Sequence, residues 1–212
     1  MPGQESHKTL IEAFSKSRLY AYMLPGEGIE QAFARYQNNI RLGESLVPAL
    51  HYLEIILRNR LDQAIGNIYG KNWMISVPPG LRMDEGNLEK LGSASRHFQY
   101  EKRATPNHDD LVAHMAFGFW SSFFHKRYDE QLWHRKYFAA QVFPYMKRDH
   151  RSRNVTKPKL QVIKAIRNRI AHHEPIWNWK PGAKVVHTLC LELIGAMSQV
   201  AIEKLKEVDR FP

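Results

Sequence analysis

Apolar residues in this chain recur three and four apart far more often than two apart, so the pattern predicts helices almost throughout. Runs that alternate with period two are sparse and β-branched clusters are rare. A first helix, or a pair of turns, is expected over 7–23, closed by Leu24-Pro25-Gly26. A second is expected over 28–42 and a third over 44–69, with Pro48 tolerated in its first turn because the N–H it lacks would be unbonded there anyway. The stretch GKNWMISVPPG is a loop, and residues 86–103 form a polar helix. Asn107 or Asp109 caps the next helix, which carries the aromatic run MAFGFWSSFF. Residues 128–142 give another helix, ending at Phe143-Pro144, and YMKRDHRSRN is a basic loop. Thr156 is expected to cap a helix from 157 to about 173, with Pro158 in its first turn and Pro175 forbidding continuation. Residues 184–208 form a long last helix. The expected fold class is all-α, in a single domain over residues 1–212.

Composition narrows the class. With 212 residues and 43% hydrophobic content the chain can bury its own core. The one cysteine, Cys190, excludes an internal disulfide framework and reads as a core residue of an apolar helix. The opening MPGQESHKTLIEAF has no basic stretch followed by an apolar one, so no secretory signal is expected. No window of 18 residues is apolar and uncharged, so no membrane partner is expected and the location is read as cytoplasmic.

Charge changes the picture more. Residues 125–169 hold 13 Lys and Arg against 3 Asp and Glu, which accounts for the entire +10 of the chain. A basic surface so concentrated attracts a polyanion, because neutralising phosphates releases their counterions. A nucleic acid is the expected partner, against a solvated basic face or a patch for acidic partners. Lys147, Arg148, Arg151, Arg153 and Arg169 are the candidate docking cations, and Trp133, Tyr137 and Tyr145 are aromatics able to stack on unpaired bases or to serve as core.

The basic segment ends inside IRNRIAHHEPIW, residues 166–177. On a helical wheel Leu160, Ile163, Ile166 and Ile170 make one apolar stripe. Arg167 lies about 40° from Ile163, Asn168 about 140° and His172 about 180°. Arg167 therefore borders the core and needs a carboxylate or several acceptors. Glu54 supplies a carboxylate, on the edge of the stripe made by Leu50, Leu53, Leu57 and Leu61. Arg58, one turn on, can pair with Glu54 in its own helix. The predicted packing sets Glu54 against Arg167. His172 and His173 admit three readings: cover for the helix carbonyls, metal ligands, or acid–base groups acting on a phosphodiester. The chain has no HExxH or CxxC spacing to favour metal.

Arg167-Asn168-Arg169-Ile170-Ala171-His172 resembles the R-N-x-x-x-H motif of HEPN ribonucleases. HYLEIILRNRL, Gly70-Lys71-Asn72-Trp73, DDLVAHMAFGFWSSFF and RNRIAHHEPIW follow in an order similar to that of the Abi-like family of bacterial abortive-infection proteins, over roughly residues 10–200. The resemblance implies a HEPN-type helical bundle with additional helices, paired as a two-fold homodimer. It implies metal-independent RNA cleavage with no cofactor, His172 as general acid/base, Arg167 on the phosphate and Asn168 positioning them. On the reading of the residues themselves, Glu54, Arg58 and His173 are the expected supporting groups. A toxin-like or phage-defence ribonuclease also needs restraint, so a neutralising antitoxin, protein or RNA, is expected. The alternative is a non-catalytic RNA-binding helical module using the basic segment 125–169.

Overall fold

The computed structural model describes residues 2–212, with side chains from Lys8 onward, and the described residues contain helices and no strands. The protein is all-α. Near its N-terminus, α1 (Pro2–Phe14) and α2 (Lys16–Tyr20) are separated at Ser15, whose φ of 65° breaks the helix and whose hydroxyl accepts the Arg18 N–H.

The scaffold is α3 (Ile29–Tyr69), a single helix of 41 residues, roughly 60 Å long. This corrects the expectation of two helices meeting near Gly43. The stripe Ile29, Ala32, Tyr36, Asn39, Gly43, Leu46, Leu50, Leu53 and Leu57 runs on without a phase break. Gly43 lies in it as a close-approach point: a Cβ built there would stand 3.8 Å from the Ile170 side chain. Pro48 consequently lies in the helix interior rather than its first turn. The packing along both flanks outweighs the hydrogen bond it deletes.

Beyond the 70–84 loop come α4 (Glu85–Tyr100), capped by Asp84, and α5 (His108–His114), capped by Asn107 with Asp110 closing a capping box. Met115 and Ala116 turn extended, so the aromatic run forms its own short α6 (Phe117–Ser122). The helix expected over 128–142 is broken up. It comprises a 3-10 turn (Lys126–Tyr128), a π-helical turn (Asp129–Trp133) and α7 (Phe138–Val142), with Tyr137 left-handed at φ 68°. Trp133 is buried there with its indole N–H on the Phe123 carbonyl, whereas Tyr137 and Tyr145 are exposed.

Helix α8 (Arg153–Ala171) starts one turn earlier than expected, after Ser152. Thr156 is buried inside it and bonds the Ser152 carbonyl. The last helix is two, α9 (Ala183–Met197) and α10 (Gln199–Leu205), because Ser198 turns extended and caps the second. Helices α6, α7, α8, α9 and α10 all pack on α3 around one core. Cys190 is fully buried in it, and burial pushes its thiol up to about 12. No described helix is long and apolar enough to cross a membrane.

Candidate active site

The motif lies at the C-terminal end of α8, where that helix crosses the middle of α3. Ile170 packs at Gly43 and Arg167 reaches Glu54, so the two helices run antiparallel here. The Arg167 guanidinium stands 3.6 Å from the Glu54 carboxylate, with over a third of its side chain open to solvent. The other Glu54 oxygen accepts the Phe117 backbone N–H at 2.8 Å and so caps α6 across the fold. Arg58 does not pair with Glu54. It donates to the Ala113 carbonyl at 3.3 Å, because Glu54 is already taken by the α6 N-terminus and Arg167.

The helix ends in a Schellman turn. The His173 N–H bonds the Ile170 carbonyl at 3.1 Å and the Glu174 N–H bonds the Arg169 carbonyl at 2.8 Å. The left-handed position that usually takes glycine is His173, at φ 57°. Several side chains hold this turn. Arg169 pairs with Glu174 at 3.1 Å and donates to the Pro175 carbonyl at 3.0 Å. Arg18 donates to the His173 carbonyl at 2.5 Å. Asn39, buried in α3, accepts the N–H groups of Ile176 and Trp177 at 2.7 and 3.0 Å. Arg35 stacks on Trp177 at 5.1 Å and pairs with Glu27, whose carboxyl it holds down near 2, with the Leu24 N–H assisting.

The expected residues thus divide in two. Arg169, His173 and Glu174 are engaged in ending the helix. His172 is the half-turn residue at the terminus, exposed as the wheel predicts, and its ring and the Asn168 amide form no hydrogen bond within the described residues. The docking cations divide as well. Lys147 and Arg148 are exposed. Arg151 and Arg153 are not the free docking cations expected from the basic loop. Arg151 donates to the Met146 and Pro144 carbonyls at 2.6 and 2.9 Å, and Arg153 forms a two-pronged pair with Asp129 at 2.5 and 3.0 Å. Arg151 closes the loop on itself, and Arg153 ties it to the π-helical turn.

Sequence reasoning missed Asn39, Arg18 and the Glu27–Arg35 pair. Asn39 did carry a signal: a polar residue on the core stripe of α3 needs buried partners. Arg18 and Arg35 carried none, since surface arginines read alike until the chain is folded.

The family described as Abi-like protein matches residues 7–178, which takes in α3 and the whole R-N-x-x-x-H segment. The chain belongs to the Abi-like family. No curated protein matches it, nor does any solved structure.

Proposed function

We propose that this protein is a phage-defence endoribonuclease of the HEPN type, cutting RNA without a metal. The observation that carries the reading is a remainder. The turn after α8 is closed by backbone bonds and by Arg169, Glu174, Arg18 and Asn39. Asn168 and His172 have no part for their side chains in that scheme, and Arg167 is braced from one side by Glu54 with its other side open. A helix end alone has no use for these three groups. A phosphodiester does.

In the proposed reaction the ribose 2′-oxygen forms a bond to the adjacent phosphorus as the bond from phosphorus to the 5′-oxygen breaks. The 2′-hydroxyl proton passes to a base, and a second proton reaches the departing 5′-oxygen from an acid. The products are a 2′,3′-cyclic phosphate and a 5′-hydroxyl. Histidine suits both transfers because it titrates near neutrality. Arg167 neutralises the charge that grows on the non-bridging oxygens. One imidazole cannot hold and lack a proton at once, so two copies of His172 facing across a dimer provide base and acid together.

The test incubates wild type and His172→Ala with end-labelled RNA in excess EDTA and analyses the product ends. Cleavage by wild type alone, leaving cyclic phosphate, supports the reading. Equal binding with no cleavage by either protein overturns it in favour of a phosphate-binding helix end.

A further inference from the structure

A second cleft lies on the same face of α8, one to two turns before the motif. It encloses about 250 Å³ between α8 and the end of α6, and Asp84, His125, Lys157, Gln161 and Lys164 are among the polar residues that line it. On the wheel of α8, with Ile163 at zero, Lys164 lies at about 100°, Lys157 at about 120°, Asn168 at about 140° and Gln161 at about 160°. Lys157, Gln161, Lys164 and Asn168 therefore form one continuous row leading to His172.

Lys159, on a different face, is paired with Glu192. Lys157 and Lys164 have no carboxylate partner among the described residues. Lys164 lies over Gly118, where a Cβ would stand 3.7 Å from its Nζ. The one carboxylate at the rim, Asp84, is occupied: it caps α4 through the Asn87 N–H at 2.9 Å and pairs with Arg127 at 3.4 Å. His125 accepts the Arg127 N–H on Nδ1 at 3.4 Å. Two ammonium groups, an imidazole and an amide thus line a cleft whose one carboxylate, Asp84, is engaged elsewhere.

We infer that this cleft is a phosphate subsite of the RNA track, holding a backbone phosphate of the same strand that meets His172. The assignment rests on the RNA reading above. Lys164 precedes His172 by eight residues, about 12 Å along the helix. That spans about three or four nucleotides at the stacked rise of 3.4 Å. An RNA of that length or longer engages both places, and a dinucleotide cannot.

The experiment measures binding of fluorescent single-stranded RNAs of two to twelve nucleotides at several salt concentrations. It compares His172→Ala with the same protein also carrying K157Q and K164Q. Loss of this one phosphate contact lowers the slope of log K against log salt by about 0.7 for long RNAs. It also removes the gain in affinity on passing four nucleotides. K157R/K164R, which keeps the charge, is expected to retain both, so a general folding defect is separated from loss of the site. Equal slopes and equal length dependence, with wild type still cleaving in EDTA, overturn the subsite and leave the ribonuclease reading standing. Inorganic phosphate that binds in a lysine-dependent way without any change in RNA affinity identifies a small-anion site and overturns the RNA assignment. Absence of RNA binding by every variant overturns both readings.

Discussion

Glu54 and Arg167 meet across two antiparallel helices at 3.6 Å, and the same carboxylate holds the first N–H of α6 at 2.8 Å. One side chain on α3 thus ties the candidate phosphate-binding arginine to the aromatic segment behind it. Separating the two roles is straightforward. Glu54→Gln keeps an oxygen for the Phe117 N–H but loses the charge facing Arg167. Stability is expected to change by less than about 1 kcal/mol while cleavage falls. Glu54→Ala loses both and is expected to cost about 1–3 kcal/mol, since the α6 N-terminus is left uncapped. Urea titration alongside RNA cleavage checks this, and equal stability loss in the two variants would refute the division.

His172→Ala and Arg167→Ala should each reduce EDTA-resistant cleavage by roughly 10²–10⁴, the usual worth of a positioned proton carrier or an electrostatic clamp. Mixing wild type with His172→Ala gives a sharper result. If two copies of His172 make one site, hybrid dimers lack one imidazole, and activity should fall more steeply than the wild-type fraction of the mixture. A fall in simple proportion to that fraction counts against a shared site.

His173 occupies a left-handed turn at φ 57°, where a β-carbon is a burden. His173→Gly removes that burden, and a stability gain of about 1 kcal/mol is expected from thermal or urea unfolding. An unchanged or lower stability would mean that the imidazole contributes contacts worth more than the turn costs.

Asn39 satisfies two backbone N–H groups immediately after the motif. Asn39→Ala leaves both without an acceptor in a buried place and is expected to cost about 2–4 kcal/mol. Asn39→Asp keeps the acceptor and should be milder. Hydrogen exchange at Ile176 and Trp177 reads the effect directly: protection lost in the alanine variant and retained in wild type.

The Glu27 carboxyl lies near 2 in the folded protein against an ordinary 4.5, chiefly through Arg35 and secondly through the Leu24 N–H. A carboxyl depressed on folding stabilises above its unfolded value and loses that contribution as pH falls toward its folded one. Glu27→Gln should therefore be less stable than wild type at neutral pH, with the gap closing between about pH 4.5 and 2. A gap of constant size across that window would remove the ion pair as its cause.

Much of this was legible in the sequence because it depends on periodicity and on obligate pairing. The period of 3.6 dictated helices, and the stripe on α8 sent Arg167 to the core margin and His172 away from it. A half-buried guanidinium demands a carboxylate, so Glu54 could be named before any coordinates. The stops and starts were decided elsewhere. Gly43 looked like a boundary until Ile170 and Ile176 packed against it, and a glycine at such a contact favours continuity. Residues 128–142 and 184–208 carry helical spacing, yet burial of Trp133, Phe138 and Leu205 in one core bends the chain at Tyr137 and Ser198. Above all, local sequence does not distinguish one arginine from another. Arg151, Arg153 and Arg169 became structural, and Lys157 and Lys164 remained unpaired, only when tertiary packing brought carbonyls and carboxylates to the first set and an empty cleft to the second. Charge in a sequence is a quantity, and its partners are fixed only by the distances that folding creates.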